Sequence, residues 1–109
     1  MSAKINYITD AAGLDRVFSL SEEKPVALFK HSDTCGISLH VFEDVQKING
    51  ELNVIVVQTH RELSNAVAER TGYTHQSPQA FVLADGKAIY HATHYGIDPV
   101  KLQSALDTQ

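Results

Sequence analysis

Two short apolar runs, each followed by a segment with helical periodicity, most constrain what this chain can fold into. Residues 26–29 are continuously apolar, and residues 53–58 are rich in β-branched side chains. Strands that are covered on both faces have this pattern, because helices pack on both sides of the sheet to which they belong. The alternation of such strands with helices favours an α/β fold built around a largely parallel sheet.

Turn and capping signals predict the remaining elements. Asp85-Gly86 separates two further strand-like segments, and this pair is typical of a type I′ hairpin. Asp98-Pro99 is typical of a helix start, and Thr59 and Glu62 have the spacing of a capping box. The predicted order is β-α-β-α-β-α-β-β-α in one domain over residues 1–109, with a mixed sheet and helices on both of its faces.

The composition excludes several classes of protein. Nine Lys and Arg against thirteen Asp and Glu give a net charge of −4, and an acidic chain lacks the basic surface expected of a nucleic-acid binder. No apolar run approaches the roughly 18–20 residues that a membrane span needs. Residues 1–7 have no apolar signal-peptide core. We therefore expect a cytoplasmic protein that binds neither nucleic acid nor membranes.

Cys35 is the only cysteine, which excludes an internal disulfide and fits a reducing compartment. It follows a buried-type strand and begins a predicted helix that extends through Ile48 and ends at Asn49-Gly50. Functional sites of open α/β sheets lie at the carboxyl ends of strands, and a helix start favours a thiolate over a thiol. A reactive cysteine is therefore favoured over the alternative, a small buried hydrophobic residue.

Polar neighbours are predicted to modulate this thiolate. Thr34 and Ser38 offer hydroxyl donors, the second of them one helical turn beyond the cysteine. Lys30 and His31 would add positive charge if the polar loop before the cysteine folds back. Asp33 would oppose the thiolate through like-charge repulsion.

Ser77-Pro78 lies directly before a predicted strand. Bonds to proline are the only peptide bonds that adopt the cis form readily. We hypothesise a cis bond that turns the Ser77 backbone toward the start of the Cys35 helix, where it would pair with an extended substrate. The alternative is an ordinary trans proline at the start of a strand.

The order of elements, the cysteine at the second helix and the later proline resemble the thioredoxin fold, a three-layer sandwich, over nearly the whole chain. Residues 29–38 (FKHSDTCGIS) and 75–79 (HQSPQ) resemble the YtxJ-type monothiol bacilliredoxins more closely. In that family the nucleophile lies in a Thr-Cys-x-Ile-Ser motif, commonly with proline at x, where this chain has Gly36. Dithiol thioredoxins have a second, resolving cysteine where Ser38 stands here.

This resemblance implies thiol–disulfide exchange with Cys35 as the nucleophile. Its thiolate would attack the mixed disulfide between a protein cysteine and bacillithiol, and an external small thiol or a reductase would then release the bacillithiol. The implied co-substrate is bacillithiol, the implied partners are bacillithiolated proteins, and no permanently bound cofactor is implied. The residues expected to stabilise the thiolate or to bind substrate are Lys30, His31, Thr34, Gly36, Ser38, Ser77 and Pro78.

Two other functions stay open at the level of sequence. Residues 35–38 (CGIS) also resemble the Cys-Gly-Phe-Ser motif of monothiol glutaredoxins, which implies an iron–sulfur cluster shared by two chains and two external thiols. A binding module that kept the fold and lost the chemistry is the other alternative. The six histidines are expected to lie at the surface or in hydrogen bonds, with no metal site. His31 and His75, which this fold would bring near Cys35, are candidates for proton transfer or for binding anionic groups of a thiol.

Overall fold

The computed structural model describes residues 2–108 and contains five strands and four helices in the predicted order. The strands are β1 (Lys4–Tyr7), β2 (Val26–His31), β3 (Glu51–Val56), β4 (Gln79–Ala84) and β5 (Lys87–Thr93). The helices are α1 (Ala11–Leu20), α2 (Gly36–Val45), α3 (Arg61–Thr71) and α4 (Pro99–Leu106), with one turn of 3-10 helix (His94–Gly96) after β5. None of these helices is long and apolar enough to cross a membrane.

The strands form one mixed sheet in the order β1-β3-β2-β4-β5. β1, β3 and β2 are parallel, whereas β4 is antiparallel to both β2 and β5. Because β4 runs opposite to β2, its first residue, Gln79, pairs with Lys30 near the end of β2. The segment that leads into β4 and the loop that follows β2 therefore lie side by side, at the same end of these two neighbouring strands.

Each face of the sheet has its own hydrophobic core, and β2 contributes to both. Val26 and Leu28 pack with buried residues of α1 and α3, while Ala27 and Phe29 pack with those of α2 and α4. Alternate side chains of a strand point to opposite faces, so a central strand between two helical layers must be apolar throughout. The continuous apolar run of β2 follows from this position.

Two of the predicted helix boundaries are wrong. α2 ends at Val45, yet Ile48 is buried in the same core from the turn that follows, so its helical spacing reflects burial in a turn. The predicted capping box does not form, because His60 is the first flanking residue of α3 and Thr59 donates from its hydroxyl to the Val56 carbonyl.

The predicted hairpin and the predicted start of α4 are both confirmed. Asp85 and Gly86 have φ angles of 53° and 75°, as a type I′ turn requires. The Asp98 carboxylate accepts a hydrogen bond of 2.9 Å from the Val100 amide, and Pro99 occupies the first helical position. Local sequence signals are therefore sufficient for these two features.

Replacing Gly86 with alanine should lower the free energy of unfolding by about 1–2 kcal/mol, because the left-handed conformation is costly for residues with a Cβ. Nothing lies within 4 Å of the Cβ that would be added, so backbone strain alone sets this cost. Gly36→Ala is the matched control, since its added Cβ is equally free but its φ is not positive. Urea unfolding of both variants measures the difference, and equal destabilisation would contradict this account.

Candidate functional site

Cys35 lies at the amino-terminal end of α2, in extended conformation and half-buried. Its carbonyl accepts a hydrogen bond from the Leu39 amide, but its side chain caps none of the helix N–H groups. The first N–H groups of a helix have no partner within the helix, and together with the helix dipole they favour negative charge there. Cys35 therefore flanks the end of α2 at which these N–H groups lie, and its reactivity stays a prediction.

Gln58 lies two residues after the end of β3, and its side chain fixes the loop before the cysteine. Its side-chain amide donates to Ser32 Oγ at 2.6 Å and to Thr34 Oγ1 at 2.8 Å, and its carbonyl oxygen accepts from the Asp33 amide at 3.3 Å. Three consecutive loop residues are therefore held by one side chain. The predicted hydroxyl of Thr34 is committed to this contact, and no sequence motif singled out Gln58.

Ser38, in the first turn of α2, holds the same loop from the helix side. Its hydroxyl oxygen accepts from the Ser32 amide at 2.9 Å and lies 2.8 Å from His31 Nδ1. Both Ser38 and His31 are buried. The hydrogen bonds of Ser38 among residues 2–108 are with these neighbours rather than with the Cys35 sulfur, so its contact with a thiolate stays a prediction.

The predicted strand ends at Phe29 and a polar loop begins at His31, but the structure continues β2 through Lys30 and His31. The His31 ring packs 4.5 Å from that of Phe42, on the side of α2 and α4. Burial lowers the pKa of His31, and the nearby Asp33 carboxylate opposes this shift. Both residues are buried because β2 continues as a central strand up to the loop that carries Cys35.

Lys30 points to the opposite face, toward α3. Its ammonium donates to the Ser64 carbonyl at 2.9 Å and lies 3.4 Å from His75 Nδ1, and its relative exposure is 0%. Burial lowers the pKa of Lys30 to about 8. The contacts of Lys30 are therefore with Ser64 and His75, and its effect on the thiolate stays a prediction.

Ser77 and Pro78 lie at the same sheet edge, directly before β4. The peptide bond between them is cis, as the sequence predicts, and the Pro78 carbonyl accepts from the His94 amide at 3.0 Å. The Ser77 hydroxyl oxygen is shielded from solvent and has no hydrogen-bond partner among residues 2–108. A contact between the Ser77 backbone and a substrate stays a prediction.

Gly36 is the first residue of α2 and is exposed. Nothing lies within 4 Å of a Cβ built at this position, and proline is well tolerated at the first position of a helix. Gly36 therefore leaves empty the space that a proline, common at this position in the bacilliredoxin motif, would occupy. In residues 2–108 no group of three or more His, Cys, Asp or Glu side chains could hold a metal ion.

Comparisons with known proteins agree with this geometry. A family model for the monothiol bacilliredoxin BrxC matches residues 6–102, a range that includes Cys35 and Pro78. A solved structure of a candidate oxidoreductase with a thioredoxin fold is 30% identical, with a TM-score of 0.79 over 93% of this chain and 92% of that one.

Two thioredoxins are more distant in sequence. The thioredoxin of Malassezia sympodialis is 17% identical, with a TM-score of 0.73 over 97% of this chain and 90% of its own. That of Schistosoma mansoni is 12% identical, with a TM-score of 0.71 over 94% and 93%. These likenesses confirm the predicted thioredoxin-like fold.

Replacing Gln58 with alanine should loosen the loop before Cys35, because three hydrogen bonds are lost at once. We expect amide hydrogen exchange at Asp33 to become about tenfold faster or more, in line with the loss of a net 0.5–1.5 kcal/mol per hydrogen bond. Gln103→Ala is the control, since Gln103 bonds Asn49 at a distance from this loop. Unchanged exchange at Asp33 would show that Gln58 does not hold it.

Replacing Lys30 with methionine should stabilise the protein at neutral pH by about 1–3 kcal/mol, because a buried charge without a carboxylate partner is removed. The lowered pKa means that the unfolded chain holds the Lys30 proton more tightly. The wild type should therefore gain stability as the pH rises from about 8 to 10.5, the ordinary value of lysine. The advantage of Lys30→Met should shrink over that interval.

Unfolding at several pH values measures this effect. Lys87→Met is the control, because Lys87 is exposed and its charge carries no burial penalty. A constant difference between Lys30→Met and wild type across that pH range would contradict the buried charge.

Proposed function

Because the chain belongs to the monothiol bacilliredoxin BrxC family, we propose that its thiol–disulfide oxidoreductase activity removes bacillithiol from mixed disulfides on protein cysteines. The observation that carries this proposal is the position of the single cysteine, half-buried at the start of α2 with no capping hydrogen bond from its side chain. Such a sulfur combines stabilisation of its thiolate with access for a second sulfur atom.

The exchange has two steps, each a displacement at sulfur. In the first, the Cys35 thiolate attacks the bacillithiol sulfur of the mixed disulfide. The disulfide bond between bacillithiol and the target cysteine breaks, and the target cysteine leaves as a thiolate with the electron pair and takes a proton from solvent. In the second, an external thiolate attacks the new disulfide on Cys35 and frees it. The target is reduced, and the external thiol and bacillithiol end as a disulfide.

The second step needs an external thiol because the chain cannot supply one. Cys35 is the only cysteine of the sequence, and Ser38 stands where dithiol thioredoxins have a second one. The Ser38 hydroxyl is buried and held by Ser32 and His31. A small thiol or a reductase is therefore part of the proposed cycle.

The remaining parts of the proposal follow from this chemistry. Bacillithiolated proteins are its partners and bacillithiol is a co-substrate, with no permanently bound cofactor. The chain acts as one domain in the cytoplasm, where thiols stay reduced. Thr34, Gly36 and the Ser77 backbone contact the target around Cys35, and the buried Pro78 holds the Ser77 backbone in place.

Cys35→Ser should abolish the release of bacillithiol from a modified protein, because a hydroxyl is a far weaker nucleophile than a thiolate. The folded structure should be nearly unchanged, since the two side chains are similar in size. Intact mass spectrometry measures both the target and the adduct on the wild-type chain. Release that persists in the variant would overturn the proposal.

The same assay with glutathione and coenzyme A mixed disulfides tests the identity of the thiol. We expect the bacillithiol adduct to be removed fastest. A brown protein with cluster absorbance after anaerobic purification would instead favour the iron–sulfur alternative.

A further inference from the structure

Two buried polar side chains, His31 and Ser38, join the end of β2 to the first turn of α2, on either side of the loop that leads to Cys35. Their relative exposures are 4% and 0%. His31 Nδ1 lies 2.8 Å from Ser38 Oγ, and the rest of the His31 ring packs against the rings of Phe29 and Phe42. Buried polar groups need partners, so the position of each proton in this pair has consequences.

Hydrogen bonds connect this pair to the backbone of Cys35. Ser38 Oγ accepts from the Ser32 amide at 2.9 Å, and the Ser32 carbonyl accepts from the Cys35 amide at 3.3 Å. Cys35 flanks the start of α2 and Ser38 follows it by three residues, the spacing at which the side chains of a helix start face each other. The Ser38 hydroxyl therefore has His31 as a partner and Cys35 one helical turn away.

The Ser38 hydroxyl has one proton and two lone pairs. The Ser32 amide can only donate, so it occupies one lone pair. Only one proton fits between Ser38 Oγ and His31 Nδ1. If Nδ1 has no proton, Ser38 donates to it and has nothing left to donate elsewhere. If Nδ1 carries a proton, His31 donates to Ser38, and the Ser38 proton is free for another acceptor.

The Cys35 sulfur becomes a strong acceptor when it is ionised. A neutral sulfur accepts weakly, whereas hydrogen bonds to an ionised group are roughly twice as strong as neutral ones. Rotation about the Cβ–Oγ bond of Ser38 would turn its proton from His31 toward the sulfur and would keep the bond from the Ser32 amide. Ionisation of Cys35 and protonation of His31 Nδ1 are then linked through one hydroxyl, and such linkage is reciprocal.

The His31 ring can make this change without gaining charge. Burial lowers the pKa of His31, against the opposing effect of the Asp33 carboxylate, so the ring is neutral above pH 7. Lys30 points to the opposite face of the sheet, and the ring's neighbours on its own face include Phe29 and Phe42. A neutral imidazole carries its one proton on either nitrogen. A change of tautomer therefore places a proton on Nδ1 and removes one from Nε2, with no change in total.

We propose that His31 is a positioning residue that controls the Ser38 proton. That proton is directed to His31 Nδ1 while the Cys35 sulfur is neutral, and it turns to the sulfur when Cys35 is a thiolate, as Nδ1 acquires a proton of its own. This inference rests on the exchange activity proposed above and adds how the charge of Cys35 is controlled. Cys35 is the nucleophile of the first step and the leaving group of the second, and a better stabilised thiolate leaves faster.

Nitrogen-15 NMR of the histidine rings tests this inference, because protonated and unprotonated ring nitrogens have widely separated chemical shifts. An ordinary histidine only loses protons as the pH rises. We expect His31 Nδ1 in the wild-type chain to gain a proton instead, at the pH at which Cys35 ionises. The rate of alkylation by iodoacetamide, a neutral reagent that reacts with the thiolate, locates that pH independently. In Cys35→Ser this step should vanish.

Ser38→Ala removes the hydroxyl that links the two groups. The His31 step should be lost, and the midpoint of the pH profile of Cys35 alkylation should rise by about 0.5–1 unit, as the loss of one hydrogen bond predicts. Ser64→Ala is the matched control. Ser64 is also a buried helical serine whose Oγ lies 2.9 Å from a histidine Nδ1, that of His75, on the other face of the sheet. It should leave the His31 step and the alkylation midpoint unchanged.

The wild-type and Cys35→Ser spectra decide the question even if Ser38→Ala fails to fold. The inference is refuted by a His31 Nδ1 that gains no proton as Cys35 ionises, or by a step that persists in Cys35→Ser or in Ser38→Ala. If the wild type releases bacillithiol from protein and shows no such step, the proposed function stands and the inference falls. If it releases none, the proposed function falls, and this inference falls with it.

Discussion

The complete burial of β2 is the constraint on which the rest of the structure depends. Its residues lie between two helical layers and pair with β3 on one side and β4 on the other. This burial extends to Lys30 and His31, whose polar groups must find partners inside the protein. Lys30 finds them in α3 and the His75 segment, and His31 finds one in α2. The end of one strand thereby connects both layers to the edge that carries the cysteine.

The loop between β2 and α2 is ordered by side chains rather than by regular backbone pairing. Ser38 binds the Ser32 amide from the first turn of α2, and Gln58 binds Ser32, Asp33 and Thr34 from the neighbouring strand end. A reacting sulfur must be held close to its productive geometry, because small misplacements are costly in rate. These hydrogen bonds fix the loop that presents Cys35 without touching its sulfur.

Much of the fold could be predicted because its signals are local. The Asp85-Gly86 turn, the Asp98 cap and the position of Cys35 between a strand and a helix each depend on a few adjacent residues. The site was less predictable because its contacts join distant residues. Lys30 and His31 have the polarity of a loop, and only their place in the sheet shows that they are buried. The role of Gln58 depends on the pairing of β2 with β3, which no local pattern encodes.

The single cysteine also determines which contacts have to carry specificity. A dithiol protein resolves its own mixed disulfide with its second cysteine, so the disulfide with the small thiol is short-lived. In a monothiol protein the adduct persists until a second thiol arrives, and its release depends on how that adduct is oriented and approached. The His31 side of β2 is occupied by packing against Phe42 and by the bond to Ser38. On the Lys30 side the half-buried His75 ring lies 3.4 Å from the Lys30 ammonium and 2.9 Å from Ser64 Oγ through its Nδ1 atom. Both faces of β2 therefore hold the strand end that leads into the Cys35 loop, so the loop enters the exchange with its position fixed from two sides.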